Sequence, residues 1–204
     1  MHKIVEEISA TNSWRDGEFA KFKVNPHQVE ESLWYRMCVP MIYANWEGFV
    51  VSALKMLLSH LNSLQLTPPQ IPTKLVVVGL GDTYRSLSGK QSFEQRCTFT
   101  ERFSGFLNAT VKFQTKIATK SNLNSDVLSE LCNMYSFDYS KFSDYESLLN
   151  RLVQVRNCIA HGENSIVPTK ENIDNFVSVV QTMIDLLLVE IDVFMTSENY
   201  LSQH

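Results

Sequence analysis

Arg156, Asn157 and His161 bring together a planar guanidinium that is always charged, a carboxamide, and an imidazole that titrates near pH ~6.5. These groups suit phosphate chemistry. The guanidinium fork can hold two phosphate oxygens at once. The imidazole can move protons near neutral pH. The carboxamide can donate to a phosphate oxygen or fix the imidazole. RNA cleavage without a metal has matching needs: the ribose 2′-OH must lose a proton, the 5′-oxygen must gain one, and the phosphorane charge must be held. A plainer reading of the same residues also exists. A histidine near a helix C-terminus interacts favourably with the helix dipole, and Arg156 could simply pair with Glu163 or Glu47.

Positioning these groups is the task of the stretch LLNRLVQVRNCIAHG, residues 148–162. Leu148, Leu152, Val155 and Ile159 recur at steps of four, three and four, which predicts one face of a helix. Ser143 with Glu146 three residues later reads as a capping box that starts it. Gly162 reads as the residue that ends it, because glycine enters the left-handed conformation at little cost. On a straight helix, residues five apart point about 140° away from each other. Arg156 and His161 therefore share a cleft only if the helix stops at about His161 and lets the ring swing back.

The segment VRNCIAHGE, with four residues between Arg156 and His161 and Asn157 after the arginine, resembles the R-x4-6-H motif of the HEPN superfamily. Tyr43-Ala44-Asn45-Trp46-Glu47-Gly48-Phe49-Val50 resembles the first-helix signature of HEPN-like nucleases of bacterial toxin–antitoxin and defence loci. Thr119-Lys120-Ser121-Asn122-Leu123 resembles a further segment of that group. The resemblance implies a mainly α, HEPN-type helical bundle and metal-independent RNA cleavage to a 2′,3′-cyclic phosphate. It also implies a homodimer in which two motifs face each other, which would answer the shortage of a second strong histidine. A toxin or defence role and a cognate antitoxin follow from the same likeness. Other HEPN proteins are non-catalytic nucleotide- or protein-binding modules, and fold alone does not decide between these.

The remaining composition narrows the classes. At 204 residues, with 44% apolar and 20% charged residues, the chain suits one domain, 1–204, with a sizeable core. The net charge of −4 counts against broad non-specific RNA affinity but leaves room for a local basic site. Cys38, Cys97, Cys132 and Cys158 are far apart and lack ligand-like spacing, so reduced thiols, no metal and no cofactor are expected. Residues 1–13 lack a signal-peptide core, and no apolar run reads as long enough to span a bilayer, which predicts a cytoplasmic protein.

Along the chain, Ile4, Val5 and Ile8 suggest a short helix, and residues 1–26 end in Asn25-Pro26. From about His27 to Leu64 the pattern is helical, with Leu33, Met37, Met41, Ala44, Val51, Leu54 and Leu58 as its stripe. Pro40 predicts a kink or a break there. Trp46 and Phe49 read as core, and Glu47 either faces solvent or orients Arg156 or His161. Thr67-Pro68-Pro69-Gln70-Ile71-Pro72 is a linker that opens a less regular insertion at about residues 65–120. Within it, residues 75–81 could be a buried strand or a buried helix. Gly79-Leu80-Gly81 and Gly89-Lys90 are incomplete as nucleotide loops. Val111, Phe113, Thr115 and Ile117 alternate with polar residues, as in a half-exposed extended segment. Lys112, Lys116 and Lys120 make it basic, either as a solvated face or as an RNA-guiding surface. A short helix follows Asn124. The last helix begins at Thr169 and carries a wide stripe of Ile173, Phe176, Val177, Val180, Ile184, Leu187, Leu188, Ile191 and Phe194. The first and last long helices are the surfaces expected to supply a dimer interface.

Overall fold

The computed structural model describes residues 1–24, 29–81 and 92–202, so the Asn25-Pro26 boundary and Gly89-Lys90 lie outside the described residues. The spine is α3, Glu31–Ser63, preceded by α1, Lys3–Asn12, and α2, Trp14–Phe22. Its 33 residues make a rod about 50 Å long at 1.5 Å per residue. Pro40 sits inside it without dividing it into two helices, although its ring leaves the Arg36 carbonyl without the usual helical donor. The other helices are α4, Thr73–Leu80, α5, Phe93–Leu107, α6, Ser125–Tyr135, α7, Glu146–Ala160, and α8, Lys170–Thr196. Among the described residues there is no strand. Helices α1, α7 and α8 pack on α3, and a buried apolar cluster runs through all of them.

The expected stripe of α3 is half wrong. Leu54 and Leu58 are buried and Val51 is half-buried, but Leu33, Met37, Met41 and Ala44 are exposed. Cys38, Val39, Ile42, Tyr43, Trp46 and Phe49 take the core face instead. The helix is apolar on more than one side, so spacing alone does not single out the face that packs. Trp46 and Phe49 are core, as expected. This helix is also long and apolar enough to cross a membrane by length and composition, contrary to the sequence expectation, yet more than half of that window is buried inside the bundle. Against its other side lies α2, where Arg15 donates to Asn12 and Asn45. A Cβ on Gly48 would stand 3.2 Å from the Arg15 guanidinium, which accounts for the glycine after Glu47.

The start of α7 also differs from expectation. Ser143 donates its hydroxyl to the Ser140 carbonyl rather than capping, because residues 139–145 form a 3-10 helix that leads straight into α7. Its core residues are Leu149, Leu152, Val153 and Val155, while Leu148 is exposed and Ile159 is half-buried. The lead-in is fastened by buried Glu190 of α8, which accepts from the Asp138 amide at 2.7 Å and from Lys141 at 2.5 Å. The reading of α8 holds: Thr169 caps it by accepting from the Asn172 amide, and its stripe is buried apart from half-buried Ile184 and Leu188.

Within residues 65–120, the 75–81 segment is helical as α4, so the strand alternative falls. The helix α5 buries no residue. From residue 111 the chain is extended, with Val111, Phe113 and Thr119 buried and Lys112, Gln114, Lys116 and Lys120 exposed. The predicted alternation is therefore present without a sheet. Asn62 replaces a neighbouring strand: it accepts from the Phe113 amide at 2.8 Å and donates to the Phe113 carbonyl at 3.0 Å. The segment ends where Thr119 meets Glu47. It thus runs back along α3 from Asn62 to Glu47, about 22 Å of helix.

Candidate functional site

The three segments singled out in the sequence meet around the Arg156 guanidinium. Its Nη1 donates to Asn157 Oδ1 at 2.7 Å, and its Nη2 donates to the Ser121 carbonyl at 3.2 Å. Its carbon lies 3.9 Å from the centroid of the Tyr43 ring, a cation–π stack. Asn157 Nδ2 donates to Asn122 Oδ1 at 3.1 Å, so both ends of this carboxamide are occupied by protein. Asn157 therefore holds Arg156 in place, and its carboxamide makes no hydrogen bond to His161 among the described residues.

The loop that receives Arg156 is itself tied down. Thr119 donates its hydroxyl to Glu47 Oε1 at 2.7 Å, and the Leu123 amide donates to Tyr43 Oη at 2.8 Å. Between them Lys120 and Ser121 both adopt positive φ, at 56° and 52°. Two adjacent non-glycine residues in the left-handed region carry backbone strain, and the fixed ends hold them there. That geometry turns the Ser121 carbonyl toward Arg156. Burial first, and Glu47 beside it, push the Tyr43 phenol up to about 12, so its ring stays neutral beneath the cation across ordinary pH.

Glu47 is therefore bonded to the loop. Neither Arg156 nor His161 is its hydrogen-bond or ion-pair partner among the described residues, so the expectation of direct contact is corrected to support through Thr119. Removing that hydroxyl tests the link. Thr119→Val is expected to cost about 1–3 kcal/mol, the worth of a hydrogen bond to a charged group. Urea denaturation would measure it, with Thr119→Ser close to wild type.

His161 stands at the end of α7. Gly162, at φ 81°, lets the Glu163 amide donate to the Cys158 carbonyl at 3.0 Å and the Gly162 amide to the Ile159 carbonyl at 3.1 Å. This paired closure is the Schellman stop that the glycine predicts. It leaves His161 exposed, with no side-chain hydrogen bond among the described residues. The loop beyond is held to α3 by Arg36, which donates to the carbonyls of Ile166, at 2.5 Å, and Glu163, at 2.8 Å. Neither Arg156 nor His161 lines any of five cavities found among the described residues, so the expected shared cleft is not one of these. The reason is local, since Arg156 folds inward over Tyr43 while the helix stop points His161 to solvent.

Sequence reasoning misses Arg36, Ser121 and Asn122 as site residues. Arg36 does leave a trace, as a lone cation among Tyr35, Met37 and Cys38. Lys112 and Lys116 are exposed on the extended segment, and Lys120 pairs with Glu130 at 2.6 Å in solvent, a contact worth little. No group of three or more His, Cys, Asp or Glu among the described residues could hold a metal ion, and the four cysteines are unpaired.

A helical bundle whose R-x4-H segment ends a core helix beside the first-signature helix defines an HEPN-superfamily protein. The chain belongs to the RiboL-PSP-HEPN family, whose profile matches residues 10–192. Membership points to a nuclease or RNA-related function. No curated protein and no solved structure matches the chain.

Proposed function

We propose that this protein is a metal-independent endoribonuclease that cleaves RNA by 2′-OH attack, leaving a 2′,3′-cyclic phosphate. The observation that carries this reading is the convergence of three distant segments on one arginine, with an exposed histidine five residues on at the helix end. Arg156 would hold the phosphate through its fork, exchanging the Ser121 carbonyl for phosphate oxygens. His161 would transfer the proton. Asn157 and Glu47 would act by position, the first directly on Arg156 and the second through Thr119. Lys112 and Lys116, with Lys120 nearer the motif, form a row on the exposed edge of the extended segment. Their spacing of four residues is about 13 Å at 3.3 Å per residue. Such a row would guide an RNA backbone toward Arg156 by charge.

One histidine supplies either an acid or a base, so the active unit would be a homodimer with two motifs at its axis. The exposed stripe of Leu33, Met37, Met41 and Ala44 supplies an apolar face for it. That stripe lies about 90° around α3 from Arg36, Tyr43 and Glu47, the side that meets the motif. A single-domain protein of the cytoplasm, acting as a toxin or defence effector under an antitoxin, with no membrane partner, completes the reading. The second reading is a non-catalytic HEPN nucleotide- or protein-binding module. It draws on the fact that Arg156 is already engaged by Ser121 and Asn157.

The chemistry has a direct test. A labelled RNA cut at a mapped position should resist cutting when that one ribose is 2′-deoxy, and its unmodified form should yield a cyclic phosphate end in EDTA. Cutting at the deoxy position, or a linear 3′-phosphate formed without a cyclic precursor, would exclude 2′-OH attack.

A further inference from the structure

A second cavity lies beside the extended segment, with a volume of about 240 Å³, and Lys120, the neighbour of Ser121, is in its lining. Its apolar wall is Leu58 of α3, Ile117, and Leu131 and Met134 of α6. At its border is Tyr135, 2% exposed, whose phenol makes no hydrogen bond among the described residues. The Tyr135 hydroxyl can donate or accept a hydrogen bond at this border. Gln114 and Glu130 stand at the rim with further hydrogen-bonding capacity, and Lys116 lines the same opening. The cavity thus combines an apolar interior, a few polar groups at fixed positions and a cation at the mouth, which is how sites for small flat ligands are built.

The lysine row passes this opening on its way to Arg156. We propose that the cavity seats one nucleobase of the RNA strand that the lysines guide, and so sets a sequence preference. This inference rests on the RNA reading of the motif. The base enters between Leu131 and Ile117, its edge meets Tyr135 Oη and Gln114, and its phosphate stays outside on Lys116. Lys120 lines the cavity and adjoins Ser121, which accepts from Arg156, so the seated base is a near neighbour of the nucleotide at Arg156. Ala118 lies at the rim and is solvent-exposed, so a large side chain there closes the opening without entering the core.

The test uses the full chain carrying His161→Ala, so that RNA is bound and not cut. Labelled oligoribonucleotides with a single A, C, G or U in an otherwise abasic chain are titrated by fluorescence anisotropy. One base should bind tighter than the fully abasic chain by roughly 5-fold or more, the worth of one net hydrogen bond to its edge. Ala118→Trp should bring it to the abasic level, and Tyr135→Phe should lower the preference with the fold intact. Equal binding of all four and the abasic chain, or a preference that survives Ala118→Trp unchanged, would overturn the proposal. A preference in a protein whose wild type never cuts RNA would support the cavity and sink the nuclease. Cutting by the wild type with no base preference in binding would do the reverse.

Discussion

Placing a glutamate at both Met37 and Met41 is expected to leave each chain folded, abolish the dimer and abolish cleavage with it. Both methionines are about half exposed in the single chain, at 54% and 47%, so the substitutions meet water on folding. Changes at such positions usually move stability by less than about 0.5 kcal/mol. In the proposed dimer the same carboxylates would be buried against apolar side chains. Burying unpaired charge costs several kcal/mol per ion, which is more than ~100-fold in the dissociation constant. Sedimentation at micromolar concentration should show a dimer for the wild type and a monomer for the double variant, with the same helical circular dichroism, the variant's thermal midpoint being lower only by what association adds. A double variant that stays dimeric would move the interface elsewhere, to the exposed Val189 and Val193 of α8, for example. A monomer that still cuts at the wild-type rate would end the shared-site account.

Arg156→Lys is expected to be nearly as damaging to catalysis while keeping the charge. Lysine is a point charge and lacks the planar fork, so it cannot hold two phosphate oxygens in one plane. It also loses the pair of bonds that lock the arginine to Asn157 and Ser121. Removing one preorganised donor from a transition-state oxygen typically lowers turnover ~10²- to 10³-fold. Single-turnover cleavage should fall by that amount, with RNA affinity changed much less, because the phosphate charge is still met. An equal loss in binding and turnover would mean that Arg156 only holds RNA.

The limits of the sequence have physical causes that differ from element to element. The α8 stripe is readable because one side of that helix is apolar and the other is not. The α3 stripe is not, because Leu33, Met37 and Met41 are as apolar as the residues that pack, and only the partners decide which side is covered. Gly162 is readable because a left-handed stop has few other residue types to use. The Ser143 cap fails because the 3-10 lead-in, fixed by Glu190 some fifty positions away, takes the backbone before the cap can form. The clamp on Arg156 is made by bonds between residues 35, 72 and 80 apart, so no local pattern carries it. The Thr119–Leu123 segment is marked in the sequence only by resemblance. Its function as a strained loop with fixed ends becomes visible in three dimensions.

The central claim is that His161 moves the proton in RNA cleavage, and one assay bears on it most directly. Wild-type protein and His161→Ala, purified in parallel, are given the same labelled RNA in excess EDTA near neutral pH. His161 is exposed at a helix end and fills no core space, so its loss should leave the melting midpoint and the dimer unchanged. The account predicts cleavage by the wild type despite the chelator, and a loss of ~10²- to 10⁴-fold in the variant, the worth of a positioned acid–base group. Cleavage by His161→Ala at the wild-type rate, or wild-type cleavage abolished by EDTA, would contradict it.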